Sequence, residues 1–145
     1  MVAVVVAHNP GDWFPQTLQS LADQTYADLS VLVIDAGSDT ELTAEVAEVL
    51  PHAHVHRLDD NPGFGPAVNT AVTLVEGASF YLLCHDDIAL EPDTVRSLVE
   101  EAFRSNAGII GPKLVDWHHP ERLLQVGMSV DKTGALAPVS ERMEL

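Results

Sequence analysis

Phe80-Tyr81-Leu82-Leu83-Cys84-His85-Asp86-Asp87-Ile88 runs from an apolar stretch directly into an acidic pair. The apolar part reads as a buried strand, and in an open α/β sheet ligands bind in the crevice beyond the carboxyl ends of the strands. Carboxylates this close to a core need a partner, because desolvating an unpaired charge costs about several kcal/mol. A divalent cation is the natural partner. The placement points to chemistry on phosphates.

The segments on either side fit such a sheet. Val2 to Ala7 is a continuous apolar run, the sign of a strand covered on both faces. Asn9-Pro10-Gly11 breaks it, and a helix is expected from Asp12 with Phe14, Leu18, Leu21 and Ala22 at helical spacing. Ser30 to Asp35 is a second buried strand. Ala36-Gly37-Ser38 then turns the chain, and Ser38 with Glu41 has the pattern of a capping box. The helix beyond buries Leu42, Val46, Val49 and Leu50 and stops at Pro51.

Residues 53–58 form a short third strand, followed by the breaker cluster Asp59-Asp60-Asn61-Pro62-Gly63. Pro66 opens a helix carrying Ala67, Val68, Ala71, Val72 and Val75. Ser79 to Cys84 is the fourth strand, and Pro92 starts a helix with Val95, Leu98, Val99 and Ala102 facing inward. Gly108-Ile109-Ile110-Gly111 reads as a fifth strand and Leu123 to Val130 as one more, while the tail from Lys132 has no clear partner. Strands alternating with helices imply right-handed βαβ crossovers and a mostly parallel central sheet flanked by helices. The fold class is α/β.

The 145 residues suffice for one domain with a real core, and 46% hydrophobic against 20% charged residues reads as globular. No apolar run approaches the ~18 residues that cross a bilayer, and no basic leader precedes the first strand. The expected location is cytoplasmic, at the inner face of a membrane if further segments dock it there. One cysteine excludes an internal disulfide. The net charge of −15, from 22 acidic against 7 basic residues, repels nucleic acid, so none is expected as a partner. An anionic nucleotide binds such a surface only where a metal ion and backbone amides offset the field. Glu141 to Leu145 resembles the middle of a protein, so residues 1–145 are expected to be the amino-terminal part of a longer one.

The ends of strands one, two and four should converge on one edge of the sheet. They deliver His8 and Asn9, then Asp35, then His85, Asp86 and Asp87. The loop after strand three adds Asn61, Gly63 and Gly65, with Asn69 one turn into the next helix. Together these make a pocket able to hold a nucleotide. Turn or capping roles compete for Asp35 and for Asn61-Pro62-Gly63.

Other chemistries fit less well. Gly63-Phe64-Gly65 lacks the third glycine of the dinucleotide fingerprint, no Gly-x-x-x-x-Gly-Lys run exists, and no Gly-x-Ser-x-Gly elbow appears. Cys84 lies inside a strand, where a thiol is inert. Neighbours in an extended segment point opposite ways, so Asp86 and Asp87 do not flank one glycosidic bond. His52, His54 and His56 alternate at a spacing that can chelate zinc, against the plainer reading of a solvated strand face. Trp13 and Trp117 read as packing residues.

The order VVVAHN, Gln24-Thr25-Tyr26, VLVIDAGSD, NPGFGPAVN and HDDIALEP resembles a family 2 glycosyltransferase of the Rossmann-like GT-A fold, from Val2 to about Pro112. NPGFGPAVN is most similar to bacterial rhamnosyl- and galactofuranosyl-type members that build cell-wall or surface polysaccharides. The resemblance implies that His8 and Asn9 touch the nucleotide, that Asp35 faces the nucleobase, and that Asn61 and Asn69 lie near the ribose and donor. Asp86 would lie against the ribose or donor sugar. Asp87 would ligate the metal, for which a hard oxygen donor suits Mg2+ or Mn2+.

The sequence also departs from the family pattern. His85 replaces the first aspartate of the family's Asp-x-Asp, so ligation rests on Asp87. Ala36 stands where many members carry a second acidic residue for the base, and Val68 where many carry an arginine. The implied reaction is metal-dependent transfer of a sugar, with inversion, from a nucleotide diphosphate sugar to the hydroxyl of a glycan or lipid-linked acceptor. In the family the general base comes from the later half, beyond this chain, so no catalytic residue is assigned. Competing readings are a non-catalytic nucleotide-binding GT-A-like module and a Rossmann-like enzyme using another nucleotide.

Overall fold

A computed structural model describes residues 1–127, 129, 130, 133 and 135–137. The chain divides into two compact units, Met1–Arg96 and Ser97–Leu145. In the first, β1 (Val2–Ala7), α1 (Phe14–Ala22), β2 (Ser30–Ala36), α2 (Thr43–Val49), β3 (His54–Leu58), α3 (Phe64–Leu74) and β4 (Tyr81–His85) follow one another. α4 (Thr94–Ser105) begins at its end. The four strands form one sheet in the order β3-β2-β1-β4, with every pairing parallel.

The sequence pattern explains both the burial and the topology. Alternate residues of β1 and β2 serve opposite cores, which is why both strands are apolar throughout. Ala3, Val5, Ala7, Val31 and Val33 pack with Phe14, Leu18 and Leu21 of α1 and with Leu42 and Val46 around α2. Val4, Val6, Leu32, Ile34 and Ala36 pack on the other face with Ala67, Val68 and Ala71 of α3. Each such large aliphatic side chain contributes about 1.5–3 kcal/mol on burial. The chain steps outward from β1 to β3 with its helices on one face and returns to β4 with α3 on the other. Crossovers of one hand require that arrangement. The strand order therefore reverses between β1 and β4, which opens a crevice at their carboxyl ends.

The second unit carries two short antiparallel pairs. β5 (Leu114–Val115) pairs with β6 (Leu123–Gln125), and β7 (Ser129–Val130) pairs with β8 (Leu136–Ala137).

Several expectations need correction. Gly108–Gly111 is not a strand, and Ile109 is 95% exposed. Two isoleucines between glycines offer too little packing to offset the backbone entropy of ordering the segment. The strand expected over residues 123–130 is two strands, broken where Gly127 adopts φ +68°. The Ser38–Glu41 capping box does not form: α2 starts at Thr43, and Ser38 is buried and bonded elsewhere. Val72 is exposed on α3, and Trp13 is 47% exposed with its ring against Gly11. The tail from Lys132 lies in part outside the described residues, as does all of Glu141–Leu145. Among the described residues no helix is long and apolar enough to cross a membrane.

Candidate functional site

The polar rim at the carboxyl edge of the sheet is built from the turns that end each strand. After β1, Asn9 enters the left-handed region at φ 46°, which asparagine tolerates better than most residues. This conformation turns His8 and Asn9 across the end of β2. The His8 Nδ1–H donates to the Ala36 carbonyl at 2.8 Å, since a carbonyl only accepts. The Asn9 N–H donates to Ser38 Oγ at 2.9 Å, and Asn9 Oδ1 accepts from the Asp39 N–H at 2.8 Å. The two turns are thereby fastened to one another.

β4 delivers the acidic pair beside them. The His8 backbone N–H donates to Asp86 Oδ2 at 3.3 Å, and the buried Thr17 hydroxyl on α1 donates to the Asp86 carbonyl at 2.9 Å. Asp86 is half-buried and Asp87 exposed, as alternation at a strand end dictates. Burial pushes the Asp86 carboxyl above its ordinary range. The His8 N–H opposes that shift and the Asp87 charge adds to it. Cys84, one residue inside the strand, is buried and its thiol is pushed up to about 12 by desolvation, as an inert cysteine should be.

Asp35 sits deeper than its expected role suggested. It has no exposed surface; Oδ1 accepts from the Ser38 N–H at 2.9 Å and Oδ2 from Arg57 Nη1 at 2.5 Å. Burial works against its ionisation. The Ser38 and Arg57 hydrogen bonds outweigh burial and hold the carboxyl below the usual aspartate range. The Asn61 side chain likewise closes a local turn, with Oδ1 accepting from the Gly63 N–H at 3.0 Å. Asn69 lies exposed on α3.

Residues that the sequence reading passed over complete the rim. Arg57 ties β3 to the turn after β2, and Phe64 stacks on His85 with ring centroids 4.1 Å apart and planes 14° from parallel. That stack joins the Asn61–Gly65 loop to the end of β4. The charged residue inside the strand HVHRL was the available signal for Arg57; nothing local marked Phe64. Gln24 and Thr25 hold the segment after the acidic pair. The Gln24 amide donates to the Glu91 carbonyl and accepts from the Val95 N–H, and the Thr25 N–H donates to the Pro92 carbonyl.

Among the described residues no three His, Cys, Asp or Glu side chains cluster as a metal cage would require. His52, His54 and His56 therefore do not come together as a zinc site. The exposed Asp87 carboxylate nevertheless fits Mg2+ or Mn2+, which take one or two carboxylates and complete their shell with water and phosphate oxygens. A cation there would also relieve the unfavourable charge on Asp86. A cavity of about 490 Å³ lies at the opposite, amino-terminal edge of the sheet, lined by Val2, Leu32, His54, His56, Leu74 and Val75. Its lining is mostly apolar, with Ser30, His54 and His56 as its polar residues and no carboxylate or guanidinium, so the rim is the better site for a charged ligand.

The model of glycosyl transferase family 2 matches residues 2–129. The chain belongs to that family. A chondroitin synthase of Escherichia coli is 34% identical over 107 residues, which cover 72% of this chain and 15% of that protein. An N-acetylglucosaminyl-diphospho-decaprenol L-rhamnosyltransferase of Mycobacterium tuberculosis is 28% identical over 124 residues, covering 78% of this chain and 40% of that one. The chain thus spans well under half the length of these relatives. Crystal structures of S. aureus TarS superpose with a TM-score of 0.62 at 23% identity, over 78% of this chain and 22% of TarS. One TarS structure, at 22% identity and TM-score 0.62, is a complex with UDP-GlcNAc covering 77% of this chain and 36% of that one. The expected family 2 membership and GT-A fold both hold.

Proposed function

We propose that this chain is the donor-binding part of a glycosyltransferase. It moves a sugar, with inversion, from a nucleotide diphosphate sugar to a hydroxyl of a glycan or lipid-linked acceptor in cell-wall or surface polysaccharide synthesis. The observation that carries the reading is the Asp86–Asp87 pair at the β1/β4 switch point, bonded to the turn of β1. The similarity to a rhamnosyltransferase named for N-acetylglucosaminyl-diphospho-decaprenol supports a lipid-linked acceptor. The TarS complex with UDP-GlcNAc supports a nucleotide sugar as donor.

The chemical demand is charge on the leaving group, because the diphosphate gains negative charge as the anomeric bond breaks. In this reading the exposed Asp87 carboxylate would hold Mg2+ or Mn2+, which when bound would supply Lewis-acid stabilisation of that charge. Asp86 lies against the ribose or donor sugar, aimed by the His8 N–H and by Thr17. His8 and Asn9 border the nucleotide, and Asn61 and Asn69 flank it from the α3 side. Inversion requires a base on the opposite face of the sugar. That base is assigned to a part of the protein beyond this chain.

Calorimetry of nucleoside diphosphates with Mn2+, on wild type and Asp87→Ala, tests the reading. Wild type is expected to bind in a Mn2+-dependent manner and the variant to lose about tenfold or more in affinity. Binding of equal strength with and without Mn2+ in both proteins would refute the metal role. Full Mn2+-dependent binding by a longer form that transfers no sugar would favour a non-catalytic module.

A further inference from the structure

Asp35 and Arg57 divide the work at the base end of the rim differently from what the family resemblance implies. A carboxylate with no exposed surface, whose oxygens accept from Ser38 and Arg57, is not free to accept from a ligand. The Arg57 side chain paired with it is 39% exposed. It also donates from Nη2 to the Ser38 carbonyl at 2.5 Å, so two of its five N–H donors are engaged. The Asp35 and Ser38 bonds fix its plane at the carboxyl edge of the sheet, beside the turn that Asn9 braces.

We propose that Arg57 reads the nucleobase of the donor and that Asp35 is the positioning residue that aims it. This rests on the nucleotide-sugar reading above. Strand order supplies the geometry. Arg57 reaches back over β2, two strand spacings or about 10 Å from β4, too far to touch phosphates held at Asp87. The base is the part of a nucleotide that extends away from those phosphates.

A guanidinium only donates. It therefore favours bases with a carbonyl oxygen at the reading edge (O4 of uracil or thymine, O6 of guanine) over cytosine and adenine, which present amino groups there. Surrounding acidity does not weaken this selection, because the Arg57 charge is already matched by Asp35 and the remaining donors read by direction.

The test is equilibrium binding of UDP, dTDP, GDP, CDP and ADP with Mn2+ to the full chain. Wild type, Arg57→Lys and the neutral pair Asp35→Asn/Arg57→Gln are compared, with folding checked by thermal midpoint. Wild type is expected to prefer the carbonyl-bearing bases by about tenfold, the worth of one charge-assisted hydrogen bond. Arg57→Lys keeps a cation over Asp35 but loses the fork, and the neutral pair loses both charges. In each, the preference is expected to shrink to within about threefold while binding stays Mn2+-dependent. The inference is overturned if wild type binds all five alike, or if both variants keep its preference or weaken all five equally. Absence of any Mn2+-dependent nucleotide binding by wild type would instead overturn the nucleotide-sugar reading, and this inference with it.

Discussion

Asp86 Oδ2 accepts a hydrogen bond from the backbone N–H of His8 at 3.3 Å, so the acidic pair after β4 is joined directly to the turn after β1. The contact lies where the strand order reverses, and it aims one carboxylate inward while its neighbour faces solvent. The inward one carries the cost: burial and the adjacent Asp87 charge both disfavour its ionised form.

Asp86→Asn should therefore separate stability from binding. The amide oxygen still accepts from His8, and the disfavoured charge is gone. With no divalent ion, stability is expected to be unchanged or to rise by up to about 1 kcal/mol, solvent screening keeping the gain small. Mn2+-dependent nucleotide affinity is expected to fall. Urea unfolding and calorimetry on the same samples check both, and a large loss of stability would show that the ionised side chain is structural.

Acid sensitivity should trace to Asp35. Its folded pKa is depressed below the unfolded value, so its contribution is fully present above the ordinary aspartate value of about 3.9 and is lost as pH falls through the lower folded value. Urea midpoints of wild type are expected to drop through that window. Asp35→Asn/Arg57→Gln is expected to show a shallower drop there. Parallel pH curves for the two proteins would contradict the assignment.

Phe64 is predicted to matter to both the loop and the acidic pair. Phe64→Ala removes the His85 stack and a partly buried ring, at a cost of about 1–3 kcal/mol. Phe64→Tyr keeps the stacked ring and is expected to restore both the thermal midpoint and nucleotide affinity. If Tyr fails where Ala is tolerated, the stack is not what holds the loop.

Gly37 is the tightest backbone approach on the rim. At φ +68° an added Cβ would lie 2.8 Å from the Asp60 Cα. Gly37→Ala is expected to cost about 2 kcal/mol or more, from left-handed strain together with displacement of the loop after β3. Denaturant unfolding measures this; a change below about 0.5 kcal/mol would mean that the loop gives way freely.

The sequence by itself determined the βα alternation, the two-sided burial of β1 and β2, and the polar residues at each strand end, because all of these are local. Apolar runs report burial, breakers report turns, and the stretch Leu82–Asp87 shows core meeting cleft. Tertiary structure alone decided which ends meet. His8 and Asp86 are 78 residues apart and Arg57 and Asp35 are 22 apart, so their pairing follows from strand order, which no local pattern encodes. The same holds for the misread segments. Ser38 had a helix-cap pattern, yet the Asn9 N–H claimed its hydroxyl; Ile109 and Ile110 looked like a strand, yet packing gave them no partner strand. A side chain's role is fixed by whatever the fold brings beside it, and that contact is absent from its neighbours in sequence.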